Sequence, residues 1–541
     1  LGNATHLTTV IPPWRLRPLA AAIVAIGALV PEPGRAATLT VATLAQSSGV
    51  ACTLRDALHS VDAQADQGQC VASGAYGVND RVDFTPALTG SITFFSTDPL
   101  SANPLDPSAL VIQRPIIVQG PGSALLTLTC GNVAARLLEV DAGAGSVSLD
   151  GVTIANCQAS GFGQGGGVLV AAKLGKTRTT LALSDVTLTG NRAVVGGGLA
   201  LSGPNVGTTV TLTACNVFAN NAIVNGGGLA VDSNILHVVD SVVAGNSAQL
   251  GGGASAVGAL ADITFTRATI SSNVANIRGG GIYVQQAAGT VLDSTIANNQ
   301  AVEGGGVFVD RGRFGATNST LSGNQASDKG SALFINSGGP GALLLANSTI
   351  AANISRLAGA VAVENTLPLG MMTPAVAIII DTIVAGNEAT PDIEANDPLV
   401  PGGVPWDVSY SVIGQPGTVT LVGTGNKTGP AVPPPFGASG WLGPLQDNGG
   451  PTQTHALLTG PDPVVPNPAL DAGDPAFSGL QYDQRGAPFL RVQNGRVDIG
   501  AYELQVQQQS VPGLRGRALF ALSALLGWLG WRRLRQRRLA R

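Results

Sequence analysis

The side chains of this sequence that could do chemistry fall into three groups. Asp150, Asp185, Asp240, Asp293 and Asp381 recur at the head of a short repeated unit, and Cys215, Arg267, Asn318 and Asn347 hold the same slot in other copies. Carboxylates gathered on one face beside a basic residue are what general acid and base work on acidic polysaccharides needs. Here the run is broken, and Arg267 between Asp240 and Asp293 reads as a neutralising rung, so no catalytic residue is assigned. In the second group, Asp471, Asp474, Asp483, Asp498 and Glu503 offer hard oxygens of the kind calcium takes. Their spacing fits no EF-hand loop, and turn capping is the favoured role. No metal ligand and no cofactor are assigned, with calcium as the open alternative. The third group is His6, His59, His237 and His455, which are scattered, with no second histidine near His237 in the chain.

The elements that must position these groups come from the repeat itself. A unit ending in asparagine is written nine times, at Asn156, Asn191, Asn221, Asn246, Asn273, Asn299, Asn324, Asn353 and Asn387. Between copies, a glycine cluster leads into an aliphatic run, as in GGGVLV from Gly165, GGGIYV from Gly279 and GGGVFV from Gly304. The period is 25 to 35 residues. Repeats of that length build solenoids, in which each unit buries its apolar face only against its neighbours. Aliphatics alternating with small or polar residues predict strands. Asparagine tolerates the left-handed turn conformation, and amides stacked at the strand spacing of about 4.8 Å bond from coil to coil. The expectation is an all-β, right-handed parallel β-helix with an asparagine ladder. After each glycine cluster the first and third residues should face in and the second and fourth out. That places Tyr283, Phe308 and Phe334 in an outward aromatic strip edged by Gln285, Asp310 and Asn336, a candidate platform for sugar rings.

The coil pattern resembles the pectin-lyase-like superfamily, and the paired units resemble the repeats of polymorphic outer-membrane proteins, with Phe218 to Asn221 as the full FxxN match. Ala51 to Ala57, ACTLRDA, is similar to the CSLREA motif that opens many exported bacterial β-helix proteins. DNGGPTQTHALL from Asp447, NPALDAGD from Asn467, DQRG from Asp483 and DIGAYE from Asp498 resemble the choice-of-anchor Q domain. Val511 to Leu514, the apolar stretch Ala518 to Trp531 and the arginines to Arg541 resemble an IPTL-type or PEP-type sorting signal. These resemblances imply a surface protein whose tail is a short hydrophobic helix, held in the membrane or cut by a sortase-like protease.

Arg15 and Arg17 before the apolar run Leu19 to Val30, with small residues near Ala36, read as an export signal. The expected organisation is therefore a signal peptide over 1–36, a cap region over 37–110, the β-helix over 111–387, the choice-of-anchor region over 388–503 and the sorting signal over 504–541. Export permits disulfides, and Cys52 with Cys70 and Cys130 with Cys157 are the candidate pairs, leaving Cys215 as a buried thiol. Aromatics are 4% and charged residues 11%, low for an enzyme core and surface and explained by stacked small residues. Without the eleven arginines of the two ends and Glu32, 18 basic residues face 32 acidic ones, which argues against nucleic acid as a partner. Two function classes remain: a non-enzymatic surface or secreted protein contacting polysaccharide or a host or neighbouring cell surface, and a polysaccharide lyase or hydrolase.

Overall fold

The computed structural model describes residues 36–505 apart from 102, 104, 142, 172–177, 204–206, 337–341, 365–375, 389–390, 397–404, 430–434, 437–439, 460–466 and 478. The export signal and the sorting signal lie outside the described residues. Among the described residues no helix is long and apolar enough to cross a membrane.

The chain winds as an all-β parallel solenoid. One coil shows the plan: Ile235–Val239, Val242–Ala244, Ser247–Leu250 and Ala254–Val257 are four short strands on four successive faces. Each pairs in parallel with its counterpart one coil on, Asp262–Thr266, Thr269–Ser271, Val274–Arg278 and Ile282–Gln285. The first two faces join in a 25-stranded sheet because Ser146–Ala155 and Thr180–Thr189 run through both. The third face has seven strands and the fourth eleven. Parallel coils begin at Thr38 and continue to Thr428, so segments of 37–110 and 388–428 add rungs although they lack the asparagine unit.

Alternation puts one aliphatic column of each face into a continuous core, including Leu236, Val238, Val243, Ile263, Phe265 and Ile270, all 0% exposed. The corners carry the special backbone. Between the first and second faces a single left-handed residue turns the chain, among them Asp185, Asp240, Arg267, Asp293 and Asn318. Between the third and fourth faces the first glycine of each cluster does so. The third glycine is needed for space, since a Cβ on Gly281 would lie 2.6 Å from the Gly306 carbonyl oxygen and 3.2 Å from the Asn299 amide.

Helix Leu54–Ala63 closes the amino end. Thr53 caps it, accepting from the Asp56 N–H, and Leu54, Ala57, Leu58 and Val61 enter the core. The edge strand Ser108–Ile112 would otherwise expose unpaired backbone groups. Arg55 Nη2 donates to the Ala109 carbonyl at 2.8 Å, Asp98 Oδ2 accepts from the Val111 N–H at 3.1 Å, and Asp62 Oδ1 accepts from the Gln113 N–H at 3.0 Å.

Cys52–Cys70 and Cys130–Cys157 are disulfides closing 18- and 27-residue separations. Chain entropy over loops of that size corresponds to roughly 3 kcal/mol each. Reduction is therefore expected to lower the melting temperature by several degrees, most strongly for unfolding of the first coils. Equal melting in reducing and oxidising buffer would refute this.

Candidate functional site

The asparagines align on the corner between the second and third faces. Asn191, Asn220, Asn246, Asn273, Asn299, Asn324, Asn353 and Asn387 form the file. The backbone N–H and the Nδ2 of each both donate to Oδ1 of the next, at 2.9–3.1 Å. Nδ2 also donates back to a carbonyl of the preceding coil, as from Asn273 to Val243 at 2.9 Å. Each amide thus holds three coils. The file ends on Asp392, which accepts from Asn387 Nδ2 at 2.8 Å and from the Gln415 N–H at 2.9 Å; burial pushes its carboxyl up to about 6.

Two expected rungs are corrected. Asn156 is exposed and left-handed, with φ 56°, and Cys157 stands in the file instead, its N–H donating to Asn191 Oδ1 at 3.1 Å. Asn221 opens the third face and donates from Nδ2 to Ser247 Oγ, while Asn220 takes the rung. The inward aliphatics set the register: Leu188 aligns with Ile154 and with Val217, which shifts both units by one residue. The same shift removes Asp150 and Cys215 from the corner slot, where Gly151 and Ala214 are the left-handed residues. Arg267 pairs there with Asp240 through Nε–Oδ1 at 2.6 Å and Nη2–Oδ2 at 2.8 Å.

Immediately after that corner runs a second file. Backbone N–H groups of Cys215, Ala268, Ser294, Ser319, Ser348 and Thr382 donate to the hydroxyls of Ser241, Ser294, Ser319, Ser348, Thr382 and Ser411 at 2.9–3.3 Å. The signal for it was the Ser or Thr that follows the corner Asx. The Cys215 thiol sits among these, 1% exposed and pushed by burial up to about 11, so it is not a thiolate.

The aromatic strip is corrected in exposure though not in direction. Tyr283, Phe308 and Phe334 point away from the coil core and form a separate cluster with Ala362. Successive ring centroids lie 5.8 and 5.2 Å apart. Yet the rings are 2%, 0% and 2% exposed. They fill a trough beside the third-to-fourth corner, roofed by the Arg278 guanidinium 4.7 Å from the Phe308 centroid and by Lys329 Nζ 5.5 Å from that of Phe334. Arg278 is tied to Glu303 at 2.7 Å and Lys329 to Glu364. Rings so enclosed offer no open platform. Beside them Asp310 is 8% exposed, accepting from Gln285 Nε2 at 2.9 Å and Asn336 Nδ2 at 3.4 Å.

The acidic motifs of the carboxy-terminal region converge on the second face over coils 293–384. Thr295 Oγ1 donates to the Gln453 carbonyl and Thr320 Oγ1 to Gln484 Oε1, both at 2.6 Å, while Ser322 Oγ meets His455 Nε2 at 2.8 Å. Asp381 Oδ1 accepts from the Asp474 N–H at 2.7 Å, and Thr349 Oγ1 from the Ala501 N–H at 3.0 Å. Within this clamp, Arg485 pairs with Asp483 at 2.5 Å and lies between the rings of Phe489 and Tyr502, 3.9 and 3.7 Å from their centroids. Glu503 accepts from the Gln493 and Asp498 N–H groups, and burial with neighbouring Asp498 pushes its carboxyl up to about 8. Asp498 accepts from the Asp471 and Leu504 N–H groups. Of the five acids considered for calcium, the carboxylates of Asp483, Asp498 and Glu503 are engaged in this way and Asp474 Oδ1 accepts from the Ala476 N–H at 2.8 Å, while Asp471 is exposed and contributes its backbone N–H. Among the described residues no three His, Cys, Asp or Glu side chains gather to hold a metal.

His6 lies outside the described residues, and the other three histidines lie apart on different elements. His59 bonds Asp98 at 2.9 Å, and His455 is buried, with its pKa lowered by desolvation. His237 lies in register with Thr211 and Thr264. No family model, curated protein or solved structure matches the chain.

Proposed function

We propose that this is an exported, surface-held solenoid that contacts neutral polysaccharide or a cell surface without chemistry. One observation carries the reading. The third face presents Ile223, Val274, Ile277, Val302 and Ile354 at 37–50% exposure, interleaved with exposed Gln249, Asn276, Gln300 and Gln325. It is uncharged between Arg192 and Arg278 in an otherwise acidic body, and its rungs repeat at the strand spacing. Aliphatic patches flanked by carboxamides suit the alternating apolar faces and hydroxyls of an extended sugar chain. Two disulfides support life outside a reducing compartment. The likeness of the carboxy-terminal motifs to a choice-of-anchor Q domain and of the tail to a sorting signal supports surface attachment through a membrane segment or a sortase-like protease.

The test is co-sedimentation with a panel of insoluble neutral and acidic polysaccharides. The parent protein is expected to be retained by a neutral polymer, and Val274→Glu with Val302→Glu to lose at least about tenfold in affinity, a change of about 1.4 kcal/mol. Both side chains are 40% exposed, so folding should be kept. Release of reducing ends or unsaturated sugars from any polymer would overturn the non-enzymatic reading in favour of a lyase or hydrolase.

A further inference from the structure

At its amino end the solenoid presents the first strand of three faces, and the chain itself covers two of those edges. Thr38 exchanges backbone hydrogen bonds with Ser73 at 3.0 and 3.1 Å, and the helix Leu54–Ala63 closes Ser108–Ile112. The third edge is Gly90–Phe94, which opens the second face and pairs with Leu126–Cys130 on one side only. Gly90 and Phe94 turn toward that partner, since the Gly90 N–H donates to the Leu125 carbonyl and the Phe94 carbonyl accepts from the Gly131 N–H, both at 2.8 Å. Alternation therefore turns the backbone groups of Ser91, Thr93 and Phe95 toward the open side. There Gln46 Oε1 accepts from the Phe95 N–H, and Leu44 Cδ1 lies 3.1 Å from where a Cβ on Gly90 would stand. Between these two stops the backbone groups of Ser91 and Thr93 have no partner among the described residues.

They open into a groove of about 440 Å³, the size of a small-ligand site, walled on its far side by the segment 44–47. Phe95 lines one end of it and is 66% exposed. The ring is propped on the next coil, where Gly131 leaves it room: a Cβ there would lie 2.4 and 2.5 Å from ring carbons Cδ1 and Cε1. It is thus held in place along one edge without being covered. Ser47 and Ser91 are exposed and Thr93 is half-buried, and no charged side chain lines the groove.

We propose that this groove binds one pyranose unit of a neutral glycan, its C–H face on the Phe95 ring and its hydroxyls on the free backbone groups of Ser91 and Thr93. The face of an aromatic ring is partially negative and attracts C–H groups. The strand edge offers N–H donors beside C=O acceptors, and a sugar hydroxyl can serve both. A bare strand edge can also template a peptide, but the stretch from Ser91 to Thr93 between its two stops is shorter than the roughly five residues of an ordinary strand. The groove lies on another face from the aliphatic strip proposed above and does not rest on it.

The experiment uses the full chain and saturation-transfer NMR with methyl glucoside, glycerol and a capped trithreonine peptide. Methyl glucoside is expected to bind with the strongest transfer to its ring C–H protons, and glycerol, which has hydroxyls without the ring face, to give no signal. Phe95→Ala should weaken methyl glucoside by about tenfold and Phe95→Trp should retain it. Thr93→Val should weaken it by less than about tenfold, because the backbone groups remain. Ser91→Tyr, at an exposed position, should fill the groove and abolish binding with the melting temperature kept. Absence of methyl glucoside binding in the parent, or binding unaltered in both Phe95→Ala and Ser91→Tyr, overturns the proposal. Glycerol binding equal to that of the sugar overturns it, as does displacement of the sugar by the peptide, which would make the edge a strand acceptor. Val274→Glu with Val302→Glu should leave methyl glucoside binding unchanged; its loss there, with Phe95→Ala unaffected, would put the sugar on the third face and overturn this site.

Discussion

Asn220→Ala is expected to destabilise the solenoid by about 3 kcal/mol, whereas Asn221→Ala next to it costs less than about 1 kcal/mol. Asn220 is 1% exposed and its Nδ2 serves the Leu188 carbonyl at 2.8 Å and Asn246 Oδ1 at 3.0 Å. Its Oδ1 in turn accepts from the N–H and Nδ2 of Asn191. Truncation strands at least one buried carbonyl and one buried N–H away from water, and each orphan costs about 1–3 kcal/mol. Asn221 is half-buried, with a single side-chain bond to Ser247 at 2.8 Å, and water can replace it. Chemical denaturation of the two variants decides the matter. Equal losses would mean the file does not run through Asn220.

That pair also shows what sequence reading could reach. The period, the strands, the inward columns and the amide file are all consequences of repetition, and repetition is visible in letters. A one-residue shift is not. CNVFANN offers two asparagines to one rung, and the choice is made by Val217 packing in register with Leu188, a contact across coils. The aromatic strip illustrates a second limit. Alternation correctly sends Tyr283 outward, but exposure depends on Arg278 and Lys329 folding over the rings from another face. Docking of the carboxy-terminal clamp was encoded yet unread. The triplets Asp293-Ser294-Thr295, Asn318-Ser319-Thr320 and Asn347-Ser348-Thr349 each supply a corner residue, a file hydroxyl and a hydroxyl for the clamp.

The second large effect is expected from Arg485→Leu. Asp483 is 0% exposed, and the guanidinium is its only ionic partner among the described residues. Removing the cation leaves a buried carboxylate uncompensated and takes a packed group from between Phe489 and Tyr502, a loss of about 3–5 kcal/mol. Because the clamp meets the coils side-on, the loss should fall on the clamp rather than on the stack. Limited proteolysis is expected to cut within residues 448–505 while the coils stay protected, with faster amide exchange at Ala501 and Asp474, whose N–H groups bond the solenoid. Unchanged proteolysis would show that the clamp is held without the Arg485–Asp483 pair. Global unfolding would show that the coils depend on it.

The asparagine file has a sense as well as a length. Along the file every Oδ1 accepts from the amino-terminal side, and every backbone N–H and one Nδ2 hydrogen donate toward the carboxy-terminal coil, the second Nδ2 hydrogen going back to a carbonyl of the preceding coil. Dipoles so aligned add head to tail, as peptide dipoles add along a helix, and leave partial positive charge where the last N–H groups point. A carboxylate, Asp392, stands at that end, and a neutral backbone N–H, that of Cys157, at the other. One corner of the solenoid between Cys157 and Asp392 therefore carries a built-in electrical axis, and the two ends of that file present opposite partial charges to the coils beyond them.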